Sequence, residues 1–355
     1  MRARNDPKNS LGYRTCRKPA SLFASNIRER NAVKKMKKLI FLLAGCWIAA
    51  WPVASDAQDY PNRTIKIIVP ISVGSITDVA ARLTAQELAA RLGQPVVVVN
   101  KPGAAMVLGG SECARSAPDG YTLCLVSPDT MSFNPLTIPN LPYHPDKDFA
   151  PVIDMYNVIE GLIVPAHLGI GSIEELRAKA VAEPGKLNFG TLGERTTTDA
   201  FRQWLAEHWH TKFVAIPYKG GSEIIGALLA NTIDMTKIGV GNMTGQLKEG
   251  KIRVLALRAS HRWPALANIP TFDEAGFAAF PGGPIFWGVV VPSGTPAPIV
   301  KRLHDELLAI FRGPKFTAFA SQNFLEPVAG STEEFSAFLK KDRQDAGMLV
   351  DRYMK

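Results

Sequence analysis

Cysteine is scarce in this chain of 355 residues, four in all, and Cys16 and Cys46 lie in an N-terminal stretch that reads as a leader. Only Cys113 and Cys124 remain for the folded part, at a spacing that matches no metal or redox motif. An oxidising compartment permits a disulfide between them. Cys113, however, sits in a helical pattern and Cys124 in the apolar strand "YTLCLV", so two separately buried thiols are expected. A surplus of one charge is lacking as well. The formal charge is +9, but residues 1–57 hold 12 Lys and Arg against 3 Asp and Glu, leaving 29 of each sign beyond them. That balance removes the electrostatic case for a nucleic-acid partner. Outside the leader no segment approaches the roughly 20 consecutive apolar residues of a membrane span.

Signatures of catalysis and cofactor binding are also missing. There is no "GxxxxGK[ST]", and "GVGNMTG" (Gly239–Gly245) sets its third glycine one residue too far for the dinucleotide fingerprint. The "GxSxG" elbow of serine hydrolases is absent. His208 and His210 are two apart on an expected helix, so they point to different faces and hold no metal. Glu174–Glu175 and Glu333–Glu334 sit in helix first turns, where the helix dipole favours them without any catalytic role. No cofactor and no metal site is expected.

What is present begins with the leader. "KKMKKLIFLLAGCWIAAWPVASDA" has a cationic start, an apolar stretch and small residues at Ser55 and Ala57, the layout of a secretory signal peptide cut after Ala57. Met36 is a candidate true start. "LAGC" (Leu43–Cys46) resembles a lipoprotein box, but apolar residues continue past Cys46, so soluble export to the periplasm is preferred. From Pro61 short β-rich runs alternate with helical stretches, as in "TIKIIVP", "TDVAARLTAQELAARLG", "PVVVVN" and "YTLCLVS". In the first helix Val79, Leu83 and Leu92 mark an apolar face, and Gly93 is placed to stop it. "PVVVVN" is apolar on both pleat faces, as in a strand covered on both sides. This order predicts an α/β fold of two doubly wound lobes joined by crossover strands, with a ligand cleft between them. Residues 58–157 would open the first lobe, 158–280 form the second, and 281–355 return to the first.

The junction "VPISVGSITD" (Val69–Asp78) falls between the first strand and the first helix, at the end of the sheet where open α/β folds bind ligands. A helix opening there offers unpaired N–H groups and partial positive charge to an anion. Ser75 and Asp78 have capping-box spacing. Read alone, the stretch is a helix cap or an anion seat.

Taken together, "YPNRTIKIIVP", "TDVAARLTAQELAARLGQPVVVVNKPGA", "SAPDGYTL", "NPLTIPNLPYHPDKDFAPV", "PGKLNFGT", "VAIPYKGG", "IPTFDEAGF" and "EPVAGSTEEFSAFL" resemble the Bug family. These are the extracytoplasmic solute receptors of tripartite tricarboxylate transporters. The resemblance runs from about Tyr60 to the C-terminus and implies a periplasmic binding protein of type II. Such a protein closes on a small carboxylate solute and delivers it to membrane permease subunits; a monomer is expected. The family's first loop usually reads like "VPFPPGGxTD" and takes one ligand carboxylate through backbone amides and water. Here Gly74, Thr77 and Asp78 stay in place while Val73 and Ser75 replace Pro-Gly, which makes Ser72, Gly74, Ser75, Thr77 and Asp78 candidate ligand-binding residues. The second loop, usually like "TAGTHAINP", is "SPDTMSFNP" and keeps Ser127, Thr130 and Asn134, with Pro128 and Asp129 altering the backbone between them. In the second lobe "GTLGERTTTD" offers Thr191, Gly193, Thr196 and Thr197, with Arg195 where a glycine is common. Arg195 either faces the cleft, able to hold a distal carboxylate, or lies over the surface. Ile238 stands where the family often has an acidic residue, so it is a drier cavity wall or ordinary strand core. Its apolar character favours an aromatic, aliphatic or anionic solute over an amino acid. Phe286 and Trp287 are candidate apolar walls, with core packing slightly preferred.

Two other functions remain open on the sequence. One is a receptor that presents its solute to a membrane sensor. The other is a secreted hydrolase, for which His261 or His304 would have to activate a nucleophile, and neither stands in a recognisable arrangement.

Overall fold

The computed structural model describes residues 60–354, so the leader, its cleavage site, Met36 and Cys46 lie outside the described residues. The described residues form one compact unit. Two mixed sheets organise it, each the framework of one lobe. In the first, β1 (Ile65–Val69) lies parallel between β2 (Val96–Asn100) and β3 (Thr122–Val126). β3 pairs antiparallel with β10 (Ile285–Pro292), which pairs with β4 (Phe149–Val158), and β11 (Leu325–Pro327) forms the far edge. In the second sheet β6 (Asn188–Thr191) is parallel to β7 (Val214–Pro217) and β8 (Met235–Gly239), and β5 (Glu160–Pro165) runs antiparallel between β8 and β9 (Ile252–Arg258). The chain passes from sheet to sheet at Ile159, between β4 and β5, and returns between β9 and β10. Among the described residues no helix is long and apolar enough to cross a membrane.

The helices that pack on these sheets are α1 (Ile76–Leu92), α2 (Val107–Ala114), α3 (Ile173–Ala182), α4 (Thr197–His208), α5 (Gly221–Leu229), α6 (Ala297–Phe311), α7 (Pro314–Gln322) and α8 (Thr332–Tyr353). Helix α1 ends at Gly93, whose φ of 67° is left-handed and whose N–H donates to Ala89 O, as its position suggests. Its buried face differs from the expected one. Leu92 is buried and Leu83 partly so, as expected, but Val79 is exposed, and Ala80, Ala81, Ala85 and Leu88 complete the buried face, because small alanines let the helix lie close to the sheet. β2 differs as well: it is an edge strand with its valines half-exposed, so its continuous apolar run does not mark a strand covered on both sides.

The cysteines overturn a further expectation. Cys113 of α2 and Cys124 of β3 are joined by a disulfide, with Cα atoms 6.1 Å apart. Helix α2 packs on β3, so the two buried faces that the sequence showed separately are the same interface. The last helix also departs from its assignment to the first lobe. Phe335 and Leu339 pack in a first-lobe cluster, whereas Ala346, Leu349, Val350 and Tyr353 are buried in the core of the second lobe. Thus α8 serves both lobes.

Candidate functional site

The strand β1 and the helix α1 bracket the junction Pro70–Ser75. Gly74 has φ 81°, a left-handed turn open to glycine, and its N–H donates to Asp78 Oδ2 at 2.9 Å. Asp78 also accepts from Arg82 (3.0 and 3.1 Å) and from Asn100 Nδ2 (2.9 Å). Burial alone would raise its carboxyl, but these hydrogen bonds outweigh it and hold the group below its ordinary value. Asp78 is therefore the brace that fixes the loop. The expected capping box forms in neither half: Asp78 reaches Gly74, and the Ser75 side chain makes no cap bond. Ser75 Oγ is buried, has no hydrogen-bond partner and lines a cavity.

That cavity lies where the lobes meet and offers about 60 Å³ to the centre of a water-sized sphere, room for more than one water. From the first lobe it is walled by Ser75, Ile76, Thr77, Met106, Ser127 and Asp129, with Trp287 and Ile285 of β10 behind them. From the second lobe Thr197, Thr198, Gly220, Gly221, Ile238 and Asn242 complete it. No Lys, Arg or His is among the lining residues. Trp287 faces the cavity while its neighbour Phe286 points to the opposite face of the strand, against Phe335 and Phe338. Ile238 is both cavity wall and part of the buried core.

The lobes are closed on each other. Ile76 N, in the first turn of α1, donates to Asn242 Oδ1 of the second lobe at 2.9 Å, and Ser72 Oγ donates to Glu223 Oε1 at 3.0 Å. Ser222 Oγ donates to Val73 O, and Arg195 Nη1 donates to Thr137 O at 2.9 Å. A Cβ on Gly220 would lie 2.9 Å from both Ser72 Oγ and Ser75 Oγ, so glycine there permits the close approach. Asp129, in a π-helical turn after β3, completes the closure: its Oδ1 accepts from Thr197 N at 2.8 Å and its Oδ2 from Thr197 Oγ1 at 3.3 Å. Thr197 is the first residue of α4, so a first-lobe carboxylate sits on a second-lobe helix N-terminus. Burial pushes the Asp129 carboxyl up to about 6 against the pull of those two hydrogen bonds.

Beside it stands a buried ion pair. Glu160, at the first position of β5, lines the cavity and meets Lys237 Nζ at 2.5 Å and Arg258 Nη1 at 3.5 Å. Desolvation lowers Lys237 to about 8, opposed by the attraction of Glu160. Outside the cavity a groove of about 540 Å³ runs between Gly103–Val107 and Leu192–Glu194, and it shares Met106 and Leu192 with the inner space. Ser127 Oγ donates to Met106 Sδ at 3.2 Å, so the thioether covers this hydroxyl.

Of the residues singled out by sequence, Ser75, Thr77, Ser127, Thr197 and Ile238 meet around the cavity. Ser72, Gly74 and Asp78 shape or brace the loop beside it. Thr196 caps α4 through a bond from Asp199 N, and buried Thr191 supports the same loop by accepting from Gly193 N. Gly193 lines the outer groove, and Thr130 is buried next to Tyr143, whose hydroxyl donates to its carbonyl. Arg195 is exposed and clasps Thr137 rather than lining the cavity. Sequence reasoning missed Asn242, Glu160 with Lys237, Met106, and the contact made by Asp129. Glu160 and Lys237 carried a signal, since each interrupts an apolar strand ("NVIEGLIVP", "IDMTKIG"). Ser260, which directly precedes His261, places its Oγ 3.0 Å from Nδ1, but the pair is exposed and away from the cavity. His304 Nε2 lies against Gly330 O, not a nucleophile.

Comparison with known proteins agrees with this geometry. A family model described as the tripartite tricarboxylate transporter family receptor (TctC) matches residues 80–354. Protein BugT of Bordetella pertussis is 31% identical over 320 residues, 88% of this chain and 95% of that protein. The structure of the periplasmic binding protein BugD superposes with a TM-score of 0.79 at 29% identity, covering 83% of this chain and 98% of BugD. A Rhodopseudomonas palustris protein, Rpa4515, solved with adipate, gives 0.79 at 28% identity, covering 82% and 98% of the two chains. With a lobed α/β fold, a cavity at the lobe junction and a family match over most of its length, the chain belongs to the Bug-type solute-binding receptors of the tripartite tricarboxylate transporter family.

Proposed function

We propose that this receptor works in the periplasm as a monomer, captures a small carboxylate solute in the cavity between its lobes, and delivers it to the membrane permease subunits of a tripartite transporter. The observation that carries this reading is Ser75 Oγ: a buried hydroxyl with no partner, one residue before helix α1, aimed into the lobe junction. A hydroxyl buried without a hydrogen bond is costly, and an anion at a helix N-terminus supplies the missing partner. Thr77 and Ser127 flank it, while Ile71, Val158, Ile238 and Trp287 exclude water from the rest of the ligand. No covalent chemistry is needed: affinity comes from donors that replace ligand hydration as the lobes close. Adipate is bound by the similar Rpa4515, which supports a carboxylate here.

A thermal-shift series over mono-, di- and tricarboxylates tests it. A true ligand at 100 times its Kd stabilises the fold by about 2.7 kcal/mol. Ser75→Trp fills the cavity and should erase that shift while leaving the far-UV circular dichroism unchanged. A series in which no carboxylate stabilises the wild-type protein overturns the reading.

A further inference from the structure

The second-lobe side of the cavity already holds a carboxylate, and it is the protein's own. We propose that Asp129 is a specificity-determining residue: its carboxylate occupies the α4 N-terminus in place of a ligand group, so the cavity accepts a solute with one carboxylate and an apolar body and rejects dicarboxylates. This rests on the carboxylate-receptor reading and narrows it to a substrate class.

Three observations converge. Both oxygens of Asp129 are engaged by Thr197, one by its backbone N–H and one by its hydroxyl, so both donors of the first residue of α4 are taken. The other acid of the lining, Glu160, is already matched by Lys237 and Arg258, and no cationic side chain lines the cavity to receive a second ligand charge. Apart from Thr198 and from Asn242, whose amide is held by Ile76 N and Gly239 O, the remaining second-lobe and β10 surface is apolar or small, as at Leu192, Ile238, Ile285, Trp287, Gly220 and Gly221. A dicarboxylate anchored at Ser75 would place its far carboxylate beside Asp129, where two like charges in a buried space repel strongly. A single carboxylate anchored at Ser75 puts only its hydrocarbon there.

The test is isothermal titration of the full mature protein with hexanoate, benzoate, succinate, adipate and leucine. The wild-type protein is compared with Asp129→Asn, which keeps shape and removes charge, and Asp129→Gly, which empties the position. The expected result is that hexanoate or benzoate binds at least tenfold tighter than either dicarboxylate to the wild type. The ratio should fall by at least tenfold in Asp129→Gly and part of the way in Asp129→Asn, with circular dichroism reporting the fold of each. Equal wild-type affinity for mono- and dicarboxylates, or a ratio unchanged in both variants, overturns the proposal and leaves the carboxylate reading standing. Leucine binding tighter than hexanoate also overturns it, because Asp129 would then be the partner of an ammonium group. Failure of every carboxylate on wild type and variants alike overturns the underlying reading itself.

Discussion

The two walls of the cavity solve opposite problems. On the first-lobe wall, Ser75 Oγ is left without a partner inside the protein, and it is the group that the proposed carboxylate would engage. On the second-lobe wall three polar residues are satisfied within the molecule: Thr197 by the first-lobe Asp129, Asn242 by Ile76, and Glu160 by Lys237 and Arg258. Removing a group from the satisfied wall should therefore cost stability, whereas removing one from the open wall should cost ligand. Affinity and stability are assigned to different residues a few ångströms apart.

The sharpest break in that contrast is Lys237→Met. It leaves Glu160 buried with only the more distant Arg258, and losing one partner of a buried pair costs roughly 3–5 kcal/mol, here at the lower end. Urea denaturation without ligand measures it, and a loss under about 1 kcal/mol would show that the pair contributes little. A smaller effect is expected from pH. Burial raises Asp129 to about 6, Asp342 to about 6, and Asp154 to about 7 with help from the nearby Asp342 charge. Each binds its proton more readily folded than unfolded, where an aspartate titrates near about 4. Between those values the folded state holds more protons, so stability falls as pH rises through that window. It should increase on going from pH 7 to pH 6, by on the order of 2 kcal/mol. A flat or opposite slope in chemical denaturation would count against these assignments. Last comes Ser75→Ala. With no internal hydrogen bond to lose, it should leave the ligand-free protein as stable as the wild type or about 1 kcal/mol more stable. Ligand affinity should drop by a factor of about ten, the worth of one good hydrogen bond. A destabilised apo variant would mean that Ser75 already has a structural partner.

Much of this frame was legible in the sequence because periodicity and punctuation report local structure. Strand β1, helix α1 and its stop at Gly93 follow from an apolar run, a junction of small residues and a left-handed glycine. Family motifs then brought Ser75, Ser127 and Thr197 to one cavity. What was not legible depends on which faces meet across long separations. The Cys113–Cys124 bridge arises because α2 lies on β3, and neither stretch alone reveals its neighbour. Asp129 looked like a change in loop backbone, since only the folded chain shows that Thr197, 68 residues later, receives it. Ile238 suggested a site stripped of acid, yet Asp129 and Glu160 supply carboxylates from other elements. Val79 failed as a marker of the buried face because alanine, weakly apolar by count, is what close helix–sheet packing selects.

Helix α8 carries a mechanical consequence. Its 22 residues span about 33 Å, with Phe335 and Leu339 anchored in one lobe and Leu349, Val350 and Tyr353 in the other. Together with the passage at Ile159 and the return before β10, it makes a third tie between the halves. Two bodies joined at two points can still twist about the line between them; a stiff third link off that line removes the twist. Any parting of the lobes must therefore bend α8 or draw one of its ends out of a core. The same tie holds Gly220 in its place against Ser72 and Ser75.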